Sequence, residues 1–240
     1  MQRLAFTLAA MCLATGSALA NEDCRSVRFS PEAGALYLPA EKSVLNQDTP
    51  EGLRLISELK QLPLSRCERV AALRLEMLAL NFVKDHSTAL DRAIEVFELD
   101  HETVMSPERS VRPVVIFLQK LGRVTEAERW AEDAGLDWPI LYSAIEIWDP
   151  GPRLPEPVMP MQVSYPEAAG GREGFCQASY IVAETGIPRV TQLECSDPVF
   201  SEAAEAAAES MRYLPEDVEA LSPRRPTTRV AVVFRPDQTE

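Results

Sequence analysis

The chain has 240 residues, in which 37 Asp and Glu outweigh 24 Lys and Arg to leave a formal net charge of −13 at pH 7. That balance argues against nucleic acid or anionic lipid as partner, since both need clustered Lys and Arg to offset phosphate charge. The length allows one large domain or two ordinary ones.

Residues 1–20 have the three parts of a secretory signal peptide. Arg3 is the positive start, Leu4 to Leu13 a short apolar run, and Ala18-Leu19-Ala20 a cleavage site. An apolar run of about ten residues falls short of the roughly 20 that span a bilayer. Met11 before Cys12 is not the small residue a lipid-modified cysteine needs. The chain is therefore expected to be exported, cut to begin at Asn21, and soluble thereafter, with a charge of −14 after losing one arginine and no acid. The alternative is an uncleaved inner-membrane anchor. Cys24, Cys67, Cys176 and Cys195 remain, and an even count in an oxidising compartment predicts two disulfides, with three connectivities possible.

Residues 21–48 show no sustained period and are expected to form an arm around the next domain. Residues 49–148 are expected to be helical. Thr49-Pro50 caps a first helix with Leu53, Ile56 and Leu59 on one face. Cys67 to Lys84 carries an apolar stripe of Val70, Leu73, Met77, Leu80 and Val83. Ala89, Ala93, Val96 and Phe97 mark a third helix. Ser106-Pro107 caps a fourth, which Gly122 stops, and Ala127, Trp130 and Ala131 open a fifth. Leu78–Phe82 with Thr88–Ala93 resembles Phe117–Leu121 with Thr125–Ala131 at an offset of 38 residues. The pair is similar to a tetratricopeptide-type repeat, whose period is about 34. A stack of helical hairpins and an irregular helical domain both fit this pattern.

Residues 149–164 are dense in proline and are expected to be an extended hinge. After Tyr165 the period switches. Phe175–Val182 and Pro188–Cys195 read as strands around a turn at Ala183-Glu184-Thr185-Gly186. Ser201–Leu214 reads as an alanine-rich helix with Ala204, Ala208 and Met211 on one face, and Thr228–Arg235 as a third strand. With Thr185-Gly186 as a two-residue turn, Glu184 faces Ile187 and facing residue numbers add to 371. Cys176 and Cys195 satisfy that sum, which pairs them and leaves Cys24 with Cys67. The predicted fold class is α+β, a helical domain followed by a small ββαβ domain at 165–236 and a tail at 237–240.

Tyr165-Pro166-Glu167-Ala168-Ala169, Gly174, Val182, Gly186, Phe200, Ala203-Ala204, Met211–Pro215 and Val232-Val233-Phe234 together resemble the TonB C-terminal domain family. The resemblance covers about a third of the chain. It implies a periplasmic protein of a Gram-negative bacterium that binds an envelope protein, such as an outer-membrane receptor or transporter, by taking a short segment as an added strand. The receiving strand it implies is the third, with Val230, Val232 and Phe234 as the candidate partner-strand residues. The chain departs from a full energy transducer, the alternative reading, in its cleavable N-terminus, its short spacer and its helical domain.

An enzyme is the competing class, and the inventory of reactive groups is thin. His86 and His101 read as isolated histidines, since His101-Glu102 lacks a second histidine four positions on and a metal site needs three or four ligands. Gly170-Gly171 lacks the Lys and Ser/Thr of a phosphate loop. Trp130, Trp138 and Trp148 could stack a ligand but fit a helical core better. The sequence thus predicts no catalytic residue, cofactor or metal.

Overall fold

The computed structural model describes Cys24 and residues 27–100, 107–139, 156–219 and 228–237. The signal segment, His101, Trp148, the start of the proline-rich stretch and residues 238–240 lie outside them. The fold is α+β. Helices α1 (Pro31–Leu45), α2 (Thr49–Leu59), α3 (Arg66–Phe82), α4 (His86–Asp100), α5 (Pro107–Lys120) and α6 (Val124–Asp133) come first. Strands β1 (Gly174–Val182) and β2 (Pro188–Cys195), helices α7 (Ser201–Ser210) and α8 (Pro215–Glu219), and strand β3 (Thr228–Phe234) follow.

Helix α1 corrects the expectation of an arm. Its start is a Ser-Pro cap: Ser30 is the N-cap, its hydroxyl accepting from Ala33 N, and Pro31 opens the helix. Its buried face is Ala33, Ala40 and Val44, small residues that leave little hydrophobic contrast in the sequence. Pro39 inside the helix disguises it further. The Cys24–Cys67 disulfide, with Cα atoms 4.9 Å apart, ties the segment before α1 to α3.

The six helices pair as α1/α2, α3/α4 and α5/α6, each pair packed on the next. The three inner turns share one geometry. Gln47, Lys84 and Gly122 hold the left-handed conformation at φ 62°, 61° and 71°. In each, the following N–H reaches back five residues: Asp48 to Ser43 O (2.9 Å), Asp85 to Leu80 O (3.0 Å) and Arg123 to Leu118 O (2.9 Å). That is a Schellman-type helix end. The hairpins therefore recur three times, at offsets of 37 and 38 residues, where sequence similarity picks out two.

Small residues on the second helix of each pair explain the close packing. Ala89 with Ala93, and Ala127 with Ala131, are buried at the helix–helix contact. Gly52 holds the matching place in the first hairpin, where a Cβ would lie 2.6 Å from Val44 Cγ2. Charges bind the stack from outside: Glu76 on α3 meets both Lys60 (2.7 Å) and Arg92 (3.4 Å).

The small unit is an antiparallel sheet in the order β2-β1-β3. One face carries Cys176, Ala178, Tyr180 and Val182 of β1 with Val232 and Phe234 of β3, packed against Ala204, Ala207 and Ala208 of α7. Phe200 stacks on Phe234 at 4.9 Å, worth about 1 kcal/mol beyond its burial. Helix α7 ends at Ser210 and does not run to Leu214. Met211 turns extended, Arg212 pairs its backbone with Met159, and Tyr213 N donates to Gly186 O at 2.9 Å. The latter half of the expected hinge is thus packed structure: Met161 and Val163 lie on the core, and Gln162 N donates to Ser210 Oγ at 2.8 Å.

The hairpin turn also differs from expectation. Ala183 N donates to Ile187 O at 2.9 Å, so Glu184, Thr185 and Gly186 form a three-residue loop and facing numbers add to 370. Gly186 sits at φ 77°, and a Cβ there would lie 2.1 Å from Tyr213 O. A β-bulge between Ser179 and Tyr180 leaves Thr191 unpaired and restores the sum of 371. Cys176 and Cys195 consequently face each other and are bonded, with Cα atoms 4.0 Å apart. The longer turn and the bulge offset one another.

Candidate functional site

Strand β3 is an edge of the sheet, and it carries the candidates Val230, Val232 and Phe234. Their roles follow from ladder parity. Ser196 N donates to Phe175 O at 2.8 Å, and Ala183 N to Ile187 O, so odd-numbered residues of β1 bond to β2. Even-numbered residues of β1 therefore bond to β3, in the pairs Gly174–Phe234, Cys176–Val232 and Ala178–Val230. Val230, Val232 and Phe234 turn their backbone groups inward to β1, and Val232 and Phe234 are fully buried under α7. Ala231 and Val233 are the residues whose N–H and C=O point outward. The family resemblance locates a strand, but it does not separate inner from outer residues. The Cys176–Cys195 pair could have done so, because a directly opposed disulfide occupies a non-hydrogen-bonded site and fixes the parity of every strand.

The two edges of the sheet are unlike. On β2, Pro188 has no N–H, the bulge interrupts the ladder, and Glu209 of α7 accepts from Val190 N at 3.3 Å. These devices close an edge against further pairing. On β3, no strand among the described residues pairs with the outer side.

The helical stack docks across one end of this sheet. Lys120 Nζ donates to Glu194 Oε1 on β2 at 2.9 Å. Gly122 approaches Ser196 and the Glu173 carbonyl so closely that a Cβ would lie 3.1–3.2 Å from them. Thr125 donates through both its N–H (3.0 Å to Oε2) and its hydroxyl to the Glu173 carboxylate, just before β1. Arg235, just after β3, pairs with Glu128 at 2.5 Å. This docking contributes to burying Phe175, on the face of β1 away from α7.

His86 lies at the same junction, half-buried and tilted against Phe117 at 6.2 Å between ring centroids. Burial holds its imidazole below the ordinary histidine range, and Lys120 and Lys84 add to that against the pull of Glu194 and Asp85. A cleft of about 960 Å³ opens between α6 and the sheet end, with Phe97 and Trp130 in contact edge-to-face at 5.2 Å. Its charges are largely matched, Arg172 with Asp197 at 2.5 Å and Arg123 with Glu126 at 2.5 Å. Trp130 and Trp138 pack on the helical core. Among the described residues, no three His, Cys, Asp or Glu side chains gather to hold a metal ion. Nor, among them, is any helix long and apolar enough to cross a membrane. The two disulfides fit folding in an oxidising compartment.

No family model, curated protein or solved structure matches the chain.

Proposed function

We propose that the chain is a periplasmic, non-catalytic protein-binding module, in which a TonB-like sheet domain takes a segment of an envelope protein as an added strand and a tetratricopeptide-like hairpin stack supports it. The observation that carries this reading is the asymmetry of the sheet. One edge is closed by Pro188, a bulge and Glu209, while the other leaves Ala231 and Val233 facing outward. Strand addition draws its affinity from main-chain hydrogen bonds to such an edge and its selectivity from alternate side chains. An outer-membrane receptor or transporter is the class of partner that the resemblance suggests.

The test is a set of proline substitutions. Ala231→Pro and Val233→Pro each delete an outward N–H and leave the inner ladder whole, a placement that edge strands tolerate. Val232→Pro deletes a donor to β1 and should unfold the unit. Capture of envelope protein should be lost in the first two variants while circular dichroism stays unchanged. Retained capture in both would overturn the proposal.

A further inference from the structure

The segment from Lys120 to Glu128 crosses the sheet end in the order of its strands. Lys120 meets Glu194 of β2, Gly122 lies between Ser196 after β2 and the Glu173 carbonyl before β1, Thr125 meets the Glu173 carboxylate, and Glu128 meets Arg235 after β3. Glu173 and Arg235 stand at one level, since the β1–β3 ladder runs from Tyr180–Thr228 to Gly174–Phe234 and its next step pairs 173 with 235. The contacts on α6 are therefore spaced as the strands are. Thr125 and Glu128 share one helical stripe, and the next residue of that stripe is Glu132. From Thr125 to Glu132 the axis rises about 10.5 Å at ~1.5 Å per residue. Two strand spacings amount to roughly 9.6 Å. Glu132 thus falls where a strand added outside β3 would lie, at the level of Arg235. Its side chain is exposed and has no partner among the described residues.

We propose that Glu132 selects a partner segment with a lysine or arginine at the position facing Arg235 across the new ladder. The inference rests on strand addition at β3 and makes the binding site a composite of the two units. Directly facing residues of neighbouring strands share a face. The partner side chain opposite Arg235 therefore points at α6, as those of Glu173 and Arg235 do. Each earlier contact on the stripe joins complementary groups, a hydroxyl and amide to Glu173 and a carboxylate to Arg235. The third offers a carboxylate. The net charge of −13 favours approach of the same basic segment.

Two synthetic peptides of alternating Thr and Val, one flanked at both ends by lysine and one by glutamate, test this. Both are titrated into the full chain while the amide resonances of Ala231 and Val233 are followed. The lysine peptide should bind roughly two- to five-fold tighter through this contact, the range of an exposed ion pair. The preference should shrink by that factor in Glu132→Gln and stay intact in Glu205→Gln, which removes an exposed acid of α7 and controls for net charge. An equal preference in wild type and Glu132→Gln, with both edge amides still shifting, overturns the role of Glu132 and leaves strand addition standing. If neither peptide shifts the Ala231 and Val233 amides, strand addition itself fails, and this inference with it.

Discussion

Glu68, on the first turn of α3, accepts the backbone N–H of Ser30, the N-cap of α1, at 2.6 Å. The same carboxylate takes Ser65 N at 2.8 Å to complete a capping box, so one buried acid closes the starts of two helices. Burial pushes the Glu68 carboxyl up, but the amide donors of Ser30 and Ser65 outweigh it and hold it below the usual range. Stability from such a group is fully present above the unfolded value, near 4.3, and is lost as pH falls through the folded one. Glu68→Gln should cost about 2 kcal/mol at pH 7, the scale of hydrogen bonds to a charged group. Thermal melts across pH should show the gap between wild type and variant closing below about pH 4. A gap that persists at pH 2 would assign the loss to shape.

Gly52 should behave as the small partner of Val44. Gly52→Ala brings a methyl within 2.6 Å of Val44 Cγ2 and should destabilise by about 1–3 kcal/mol through overpacking. Val44→Ala alone leaves a cavity and costs about 1–3 kcal/mol. Made together, the two should cost less than the sum, by at least 0.5 kcal/mol or so for side chains in contact. Denaturant melts of the four proteins measure the coupling; strict additivity would contradict the packing described.

Replacing Cys176 and Cys195 by serine opens a loop whose ends are 19 residues apart, for a loss of about 3 kcal/mol. The corresponding change at Cys24 and Cys67, 43 residues apart, should cost about 4 kcal/mol. Peptide mapping without reduction should recover these two linked pairs. A Cys24 peptide joined to Cys176 or Cys195 would refute the hairpin register. Near-ultraviolet dichroism should lose the Tyr180–Tyr213 signal when the Cys176–Cys195 bridge is absent, because those hydroxyls, 2.7 Å apart, lie in the core beneath the same hairpin.

Helices with strong caps and large apolar residues were legible along the chain. Pro107 and Gly122 bound α5, and Leu73, Leu80, Val114 and Leu118 lie in the core. Helix α1 was not, because alanine and valine fill its buried face and Pro39 interrupts its pattern. The third hairpin copy was hidden likewise: Gly52 and Ile56 replace the paired alanines, and Gln47 stands where Gly122 would have announced a turn.

Strands β1 and β2 were legible from aromatic and β-branched residues around a turn and β3 from alternation, but the bulge at Thr191 was not, since a single extra residue leaves the local β-propensity unchanged. Nor did the sequence order strand, strand, helix, strand disclose that β1 is central. That spatial order decides which edge is left unpaired among the described residues. The docking of Lys120, Thr125 and Glu128 joins residues 48 to 107 positions apart in the chain, beyond any local pattern.

The unlike edges of the sheet also bear on how copies of the chain can assemble. Growth of an open-ended filament requires one edge to receive and the opposite edge to donate in every copy. Here Pro188 and Glu209 withdraw the donating side at β2. Self-association through the sheet is then restricted to a closed two-fold pair, β3 against β3, which stops at two. Under the strand addition proposed above, the same arrangement sets one added strand per chain as the stoichiometry.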